Sequence, residues 1–302
     1  MEGVMRIILV NSELPLVSKE PCCVCLGMFD GVHRGHQALL EETVRIAKQK
    51  GLRSAAATFL TKREKNCIDT LDIQLSGLGE QMDFVFVFLL DEKLRGENPE
   101  EFISHSLKGA LNARHVVCGF NFRFGHNREG DTRALQAFSR KYGYGLSIVP
   151  PVKEGAKVIS STRIRAYLRE GKIDEANRML GRPFALSGFV RMGNQIGRTL
   201  KMPTINVPID PCVIELQNGV YASKTEIDGE IYESITNIGT APTFQEKKKI
   251  SETFILNFHQ DVYNKTAKIF LYHFLRGERK FSGPDELVRT IKGDIERCAQ
   301  YY

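Results

Sequence analysis

No stretch of 18 apolar residues occurs in this 302-residue chain, which excludes a membrane-crossing helix of ordinary length. The opening Met-Glu-Gly-Val-Met-Arg carries an early acid and no long apolar segment, so no signal peptide is expected. A paired-cysteine framework is missing as well. The seven cysteines are odd in number and scattered, which argues against a disulfide scaffold and for a reducing, cytoplasmic setting. There is no internal repeat and no low-complexity segment. Dense basic blocks are absent too. Residues 1–182 hold 27 Lys and Arg against 22 Asp and Glu, and the remainder holds 15 against 14, within a net charge of +6. That modest excess lacks the basic stripe of a nucleic-acid binder and suits a phosphate-rich small ligand.

What is present is ordinary for a soluble globular protein: 42% hydrophobic and 26% charged residues, in a chain long enough for two domains with their own cores. Cys22 and Cys25 form a CxxC with His33 and His36 downstream, which mimics a zinc site. Side chains of a strand alternate faces, so the two thiols should point apart and serve as buried core residues.

The first part alternates strand-like and helix-like segments. Strands are expected over 6–10, 22–26, 54–59, 84–90, 115–118 and 146–149. Helices are expected over 37–50, 99–111 and 132–142, the first stopped by Lys48, Lys50 and Gly51. This order predicts a mostly parallel sheet with helices on both faces, a Rossmann-like α/β domain. Two short helices follow, one capped around Ser160 and ended by Gly171, the other capped by Asp174 and running to Leu180. After a turn over 181–184 strands dominate: 189–192, 219–226, 231–238, 252–258 and 267–275. Asp228-Gly229 is a hairpin signal, and Leu287, Ile291 and Ile295 mark a terminal helix. The second part thus reads as a small antiparallel β-barrel with a terminal helix. The boundary is placed at 182/183.

The run Cys25-Leu-Gly-Met-Phe-Asp-Gly-Val-His-Arg-Gly-His36 joins a short strand to a helix that opens on two histidines. A helix N-terminus presents unpaired N–H groups and partial positive charge, a natural anion site. His33 and His36 can donate to the phosphates of ATP as charge builds on a leaving pyrophosphate. Gly31 and Gly35 let the backbone approach, Asp30 orients a histidine or holds the turn, and Gly27 and Phe29 of the same run are expected among the nucleotide-binding residues. Gly119-Phe-Asn-Phe-Arg-Phe-Gly125 follows another strand. Asn121 and Arg123 there can reach polar ligand groups, or the segment is simply a tight loop with core phenylalanines. Ser160, Ser161, Arg163 and Arg165 offer a polyphosphate clamp, although a plain helix cap explains the serines equally well.

In the second part Gly188, Gly193 and Gly197 with Arg198 form a glycine-bearing stretch suited to phosphate. It leads to Pro203-Thr-Ile-Asn206. The Thr204 hydroxyl and the Asn206 carbonyl are hard oxygen donors suited to Mg²⁺, or the run is a plain strand entry.

On its GxFDGVHxGH, GxNFRFG and SSTxIR motifs, and on the matching order of the second half, the chain resembles the prokaryotic bifunctional riboflavin kinase/FMN adenylyltransferases. That resemblance implies ATP, riboflavin and FMN as substrates, Mg²⁺ as cofactor, and neither nucleic acid nor membrane as partner. It implies two reactions: riboflavin to FMN in residues 183–302, and FMN to FAD with release of pyrophosphate in residues 1–182. It implies phosphate-holding roles for His33 and His36, with Asn121 and Arg123 placing nucleotide or flavin, and Ser160, Ser161 and Arg165 closing on the triphosphate. It implies that Glu252 takes the proton of the riboflavin hydroxyl. Asn237 falls in a matching loop near flavin and nucleotide, and Arg276 in a matching segment where a structural ion pair is an equal alternative. Two departures stand out. The family's Asp-Pro-His-Pro loop after Thr58-Phe59 is replaced by a shorter Leu60-Thr-Lys-Arg-Glu-Lys-Asn66, and Lys201 replaces a glycine. The first leaves open the loss of one activity; a flavin-binding regulator without turnover is the other alternative.

Overall fold

The structure, a computed structural model, describes residues 6–13, 18–60, 66–192, 202–242 and 247–301. Contacts divide the chain into two compact units. One comprises residues 1–64 and 74–159, the other residues 65–73 and 160–302. The chain therefore passes between units three times. Compactness groups 160–182 with the second unit, whereas the sequence reading places its boundary at 182/183. Among the described residues no helix is long and apolar enough to cross a membrane.

The first unit is built on a parallel sheet of strands β1 (Arg6–Val10), β2 (Cys22–Leu26), β3 (Arg53–Leu60), β4 (Phe84–Leu89), β5 (Ala113–Gly119) and β6 (Gly145–Val149), in the order β1-β4-β3-β2-β5-β6. β2 is central and buried along its whole length. Cys22, Val24 and Leu26 join one core with Phe84, Phe86 and Ile103, while Cys23 and Cys25 join the core on the opposite face with Leu40 and Val85. Burial pushes the thiols of Cys22 and Cys25 up to about 12, so both stay protonated. The chain leaves β2 toward β3 on one side, and β5 later pairs with β2 on the other. This is the crevice where open α/β sheets bind ligands, beyond the carboxyl ends of the strands.

Helix α1 (Arg34–Lys50) returns from β2 along the core face of Cys23 and Cys25. It ends at Gly51, whose φ of 63° sets the left-handed stop that the sequence indicates. Helix α2 (Leu71–Gly79) was not expected, because two glycines and an ambiguous apolar spacing obscure it. The helix expected over 99–111 is α-helical only over Pro99–Glu101 and then runs as a π-helix over Phe102–Ala110. A hairpin over 153–158 also escaped the sequence reading.

The second unit carries an antiparallel sheet of β9 (Phe184–Phe189), β10 (Thr204–Pro208), β11 (Gly219–Ile227), β12 (Glu230–Pro242), β13 (Lys247–Ile255) and β14 (Thr266–Arg276), with β7 and β8 the two strands of the earlier hairpin. Its order is β10-β13-β12-β11-β14-β9, and a bridge between Arg191 and Asn206 brings its ends together, curling it into a barrel. The first strand is Phe184–Phe189, not 189–192, so Phe184, the last residue read as a turn, already begins it. Asp228 and Gly229 take φ of 53° and 85°, the left-handed pair that a tight hairpin needs. The helix Pro284–Cys298 covers Val220, Ala222 and Ile235 through Ile295 and Cys298. On the other face Ser223, Ser234, Thr236 and Thr253, none exposed, bond hydroxyl to hydroxyl at 2.8–2.9 Å.

Residues 65–73 are fastened within the second unit. The fully buried Asp69 side chain accepts two hydrogen bonds from Arg182 Nη2, at 2.7 and 2.6 Å. Removing one partner of a buried pair leaves an uncompensated charge, so Asp69→Asn is expected to destabilise the protein by about 3 kcal/mol. Denaturant unfolding followed by circular dichroism measures this; an unchanged midpoint would refute it.

Candidate active sites

In the first unit the turn after β2 is wound tightly. Phe29, Gly31 and Val32 have φ of 51°, 89° and 37°. For Phe29 and the β-branched Val32 this is a costly conformation, and such cost concentrates at functional turns. The surroundings enforce it. Phe29 is fully buried and Val32 nearly so. The Met28 carbonyl accepts hydrogen bonds from Thr58 Oγ1 at 3.1 Å and from Gln74 Nε2 at 2.7 Å, and Gln37 Nε2 holds the Val32 carbonyl at 3.0 Å. Thr58 and Gln74 were missed by the sequence reading; the position of Thr58 at the carboxyl end of β3 was the available signal.

His33 is the N-cap of α1. Its Nδ1 accepts from the His36 backbone N–H at 3.2 Å, which leaves the ring proton on Nε2, facing away from the cap. The His33 and His36 rings stack at 3.7 Å between centroids and 10° between planes, and Phe29 meets His36 edge-on. Gly35 leaves room for this stack: a Cβ there would lie 3.1 Å from the His33 ring, a tight contact that would press on it. Burial, and then the neighbouring His33, hold the His36 imidazole well below its ordinary pKa, so it is neutral at pH 7. His36 Nδ1 is buried without a hydrogen-bond partner. A polar ring atom in that condition at a helix N-terminus is suited to an incoming ligand.

The loop after β5 lies next to this turn by topology, since Leu26 of β2 pairs with Cys118 of β5. Phe124 is buried and stacks on Phe122, whereas Asn121 and Arg123 project to solvent. Arg123 approaches Asp131 at 3.7 Å, a loose surface pair. The loop thus satisfies both sequence readings: phenylalanines pack it, and polar side chains face outward. Met28 and Phe120 are exposed at the ends of these neighbouring strands.

Ser160 to Arg165 belong to the second unit. Ser160 caps the helix Ser161–Arg169, its Oγ accepting from Arg163 N at 3.4 Å. Arg165 Nε donates to the Asn66 carbonyl at 2.7 Å, and Arg163 Nη1 is buried without a hydrogen-bond partner.

In the barrel, strand register does the positioning. Asn206 of β10 pairs with Glu252 of β13, Glu252 with Asn237 of β12, Asn237 with Val220 of β11, and Val220 with Arg276 of β14. Paired residues share a face, so Asn206, Glu252, Asn237 and Arg276 form one row across five strands. Thr204, two residues before Asn206, lies on the same face and is exposed, whereas Asn206 is buried. Glu252 is exposed to solvent, yet the protein packed about it desolvates its carboxyl and raises it from its ordinary value. Arg276 donates from Nε and Nη2 to the buried Asp294, at 2.9 and 2.8 Å, so the structural ion-pair alternative is present. Gly188 lies in strand β9 and not in a loop, and its bare Cα admits Val207: a Cβ there would come within 2.8 Å of that side chain. Gly193, Gly197, Arg198 and Lys201 lie outside the described residues, as does most of the altered loop after Leu60.

A family profile described as FAD synthetase matches residues 16–163, and one described as riboflavin kinase matches residues 180–302. Among curated proteins, the bifunctional riboflavin kinase/FMN adenylyltransferase of Bacillus subtilis is 34% identical, covering 99% of this chain and 98% of its own length. The Listeria monocytogenes protein of that name is also 34% identical, over 92% of each chain. The Escherichia coli one is 32% identical over 99% and 98%. A solved structure described as a macrolide-efflux protein from Streptococcus pneumoniae superimposes with a TM-score of 0.89 at 28% identity, covering 98% of this chain and 99% of that one.

Proposed function

The chain belongs to the bifunctional riboflavin kinase/FMN adenylyltransferase family, and from that premise we infer how its two sites divide the work. It phosphorylates riboflavin to FMN in its C-terminal part and adenylylates FMN to FAD, releasing pyrophosphate, in its N-terminal part. The substrates are ATP, riboflavin and FMN. We place the functional boundary at 182/183 and the enzyme in the cytoplasm.

The observation that carries the adenylyl assignment is the stacked His33–His36 pair at the start of α1. In that half the FMN phosphate attacks the α-phosphate of ATP in line, and pyrophosphate leaves. The task of the protein is positioning and charge stabilisation. The helix N-terminus and the Nε2 proton of His33 meet the anionic tail. His36, held neutral before binding, presents an uncommitted ring nitrogen to it. The glycines at 27, 31 and 35 keep the backbone low, and Phe29 and Asp30 hold the turn. Asn121 and Arg123 contact the nucleotide or flavin, and Ser160, Ser161, Arg163 and Arg165 bind the triphosphate in the same half-reaction.

In the kinase half Glu252 accepts the proton of the riboflavin 5′-hydroxyl as that oxygen attacks the γ-phosphate. Partial desolvation by the protein around it raises its carboxyl, which strengthens it as a base. Thr204 and Asn206 fit Mg²⁺: both offer hard oxygen donors, on the face that Glu252 occupies. When bound, Mg²⁺ offsets the negative charge of the ATP phosphates. Asn237 and Gly188, Gly193, Gly197 and Arg198 line the nucleotide and flavin, and Arg276 steadies that wall through Asp294.

The assay is direct. Purified protein is given riboflavin, ATP and Mg²⁺, and flavins are separated by chromatography over time. FMN is expected to rise first and FAD to accumulate after it. An FMN endpoint would leave only the kinase, FAD made solely from supplied FMN would leave only the adenylyltransferase, and flavin retained without either product would favour a regulator.

A further inference from the structure

Five of the seven cysteines are buried; Cys67 and Cys212 are the two that solvent reaches. These two are also neighbours, although 145 positions separate them in sequence. The Cys67 backbone N–H donates to the Cys212 carbonyl at 2.7 Å, and the Cys67 carbonyl accepts from Ile214 N–H at 2.7 Å. Ordinary bond lengths on either side of that hydrogen bond cap the Cα separation at about 6.6 Å. Disulfides span Cα separations of about 4.4–6.8 Å. Both residues belong to the second unit.

The pleat that turns Cys22 and Cys25 apart does not govern this pair. Cys67 pairs through a single isolated bridge, opposite Val213. Cys212 sits inside the turn over 210–213, closed by Val213 N–H on the Asp210 carbonyl at 2.9 Å, with Cys212 N–H on Asp210 Oδ1 at 2.8 Å. The bridge puts Cys67 on the face of Val213, whereas Cys212 is the turn residue just before it, so the turn and not a strand pleat sets the direction of its side chain.

We propose that Cys67 and Cys212 form a reversible intramolecular disulfide when the protein meets a hydroperoxide. One thiolate attacks a peroxide oxygen, giving a sulfenic acid and releasing water or an alcohol. The second thiolate then attacks the sulfenic sulfur, the S–S bond forms, and a second water leaves. Two thiols are oxidised by two electrons and one peroxide is reduced. Site selectivity follows from the other cysteines: the thiols of Cys22, Cys23, Cys25 and Cys118 are pushed up to about 12 by burial and stay protonated. The bond would tie residues 65–73 to the turn that follows β10, the strand of Thr204 and Asn206.

The test uses the full chain. Protein is treated with a small excess of hydrogen peroxide, remaining thiols are alkylated under denaturing conditions, and peptides are mapped by mass spectrometry without reductant. The expected result is loss of two alkylatable thiols of seven, a linked pair of peptides bearing residues 67 and 212 and lighter by two hydrogens, and full recovery with dithiothreitol. Cys67→Ser and Cys212→Ser should each abolish the linked species. Peroxide treatment should also raise the melting temperature of the wild type, because a cross-link constrains the unfolded chain. Seven thiols still alkylatable, separate sulfinic acids at 67 and 212, a link to another cysteine, or a bond between chains would overturn the proposal. Should the serine variants not fold, the wild-type map alone decides.

Discussion

His36→Ala is expected to cut FAD formation from FMN by about 10²–10³-fold, the usual cost of removing one group aimed at charge that develops in a transition state. FMN formation from riboflavin should continue at the wild-type rate, because that chemistry is assigned to a separate unit with its own core. The loss should fall mainly on kcat. His36 carries no charge in the empty site and has an unpartnered ring nitrogen, so its interaction grows as the leaving pyrophosphate gathers charge. The substitution also removes the ring stacked on His33 and edge-on to Phe29, so folding must be checked. The undiminished kinase activity of the same sample, with an unchanged circular dichroism spectrum, supplies that check. Equal loss of both activities would sink the assignment of separate sites.

Glu252→Ala should produce the reverse pattern. A positioned general base contributes about 10²–10⁴-fold, so FMN formation should drop by that order while FAD formation from supplied FMN persists. The pH profile adds an independent readout. Partial desolvation by the surrounding protein raises the Glu252 carboxyl above its ordinary value, so the residue gains its proton at a higher pH than an unperturbed glutamate. The base form is therefore lost as pH falls through that raised value. In the wild type kcat/KM of the kinase should decline with acid at a higher pH than an unperturbed glutamate would set, and in Glu252→Ala the residual rate should lack that limb. Wild-type turnover in the variant would remove Glu252 as the base.

Much of this was legible in the sequence, and the exceptions have physical causes. β-Strands 4, 5 and 6 of the first unit declared themselves by apolar runs of strand length, and the turn of Asp228-Gly229 by its chemistry. The apolar spacing of α1 was counted only from Gln37, whereas the helix begins at Arg34, on the two histidines the motif had put at its entrance; its cap is an imidazole, His33, in place of the usual serine, threonine, aspartate or asparagine. β9 was missed at Phe184 because Gly181-Arg-Pro reads as a breaker right up to the strand. The π-helical register of Phe102–Ala110 has the same apolar pattern as an α-helix, and only the hydrogen bonds distinguish them. The motifs identified His33, His36 and Glu252 as candidates. They could not reveal that Glu252, Asn206 and Asn237 share a row, which register alone decides. Nor could they reveal that Arg165 reaches the Asn66 carbonyl or that Arg276 reaches Asp294, since such partners are matched in space and carry no signal along the chain.

The excursion of residues 65–73 bears on how the protein is made. These nine positions leave the ribosome early, yet everything they fasten to in their compact unit is encoded after position 159. The carboxylate of Asp69 waits for the guanidinium of Arg182, so a nascent chain halted between them holds an anion whose counter-ion has not been translated. Vectorial synthesis usually lets the leading domain finish alone. Here residues 65–73 wait for the stretch made after position 159, and a chain divided at 182/183 would keep Asp69 with Arg182 while leaving the Cys67 N–H without the Cys212 carbonyl it binds.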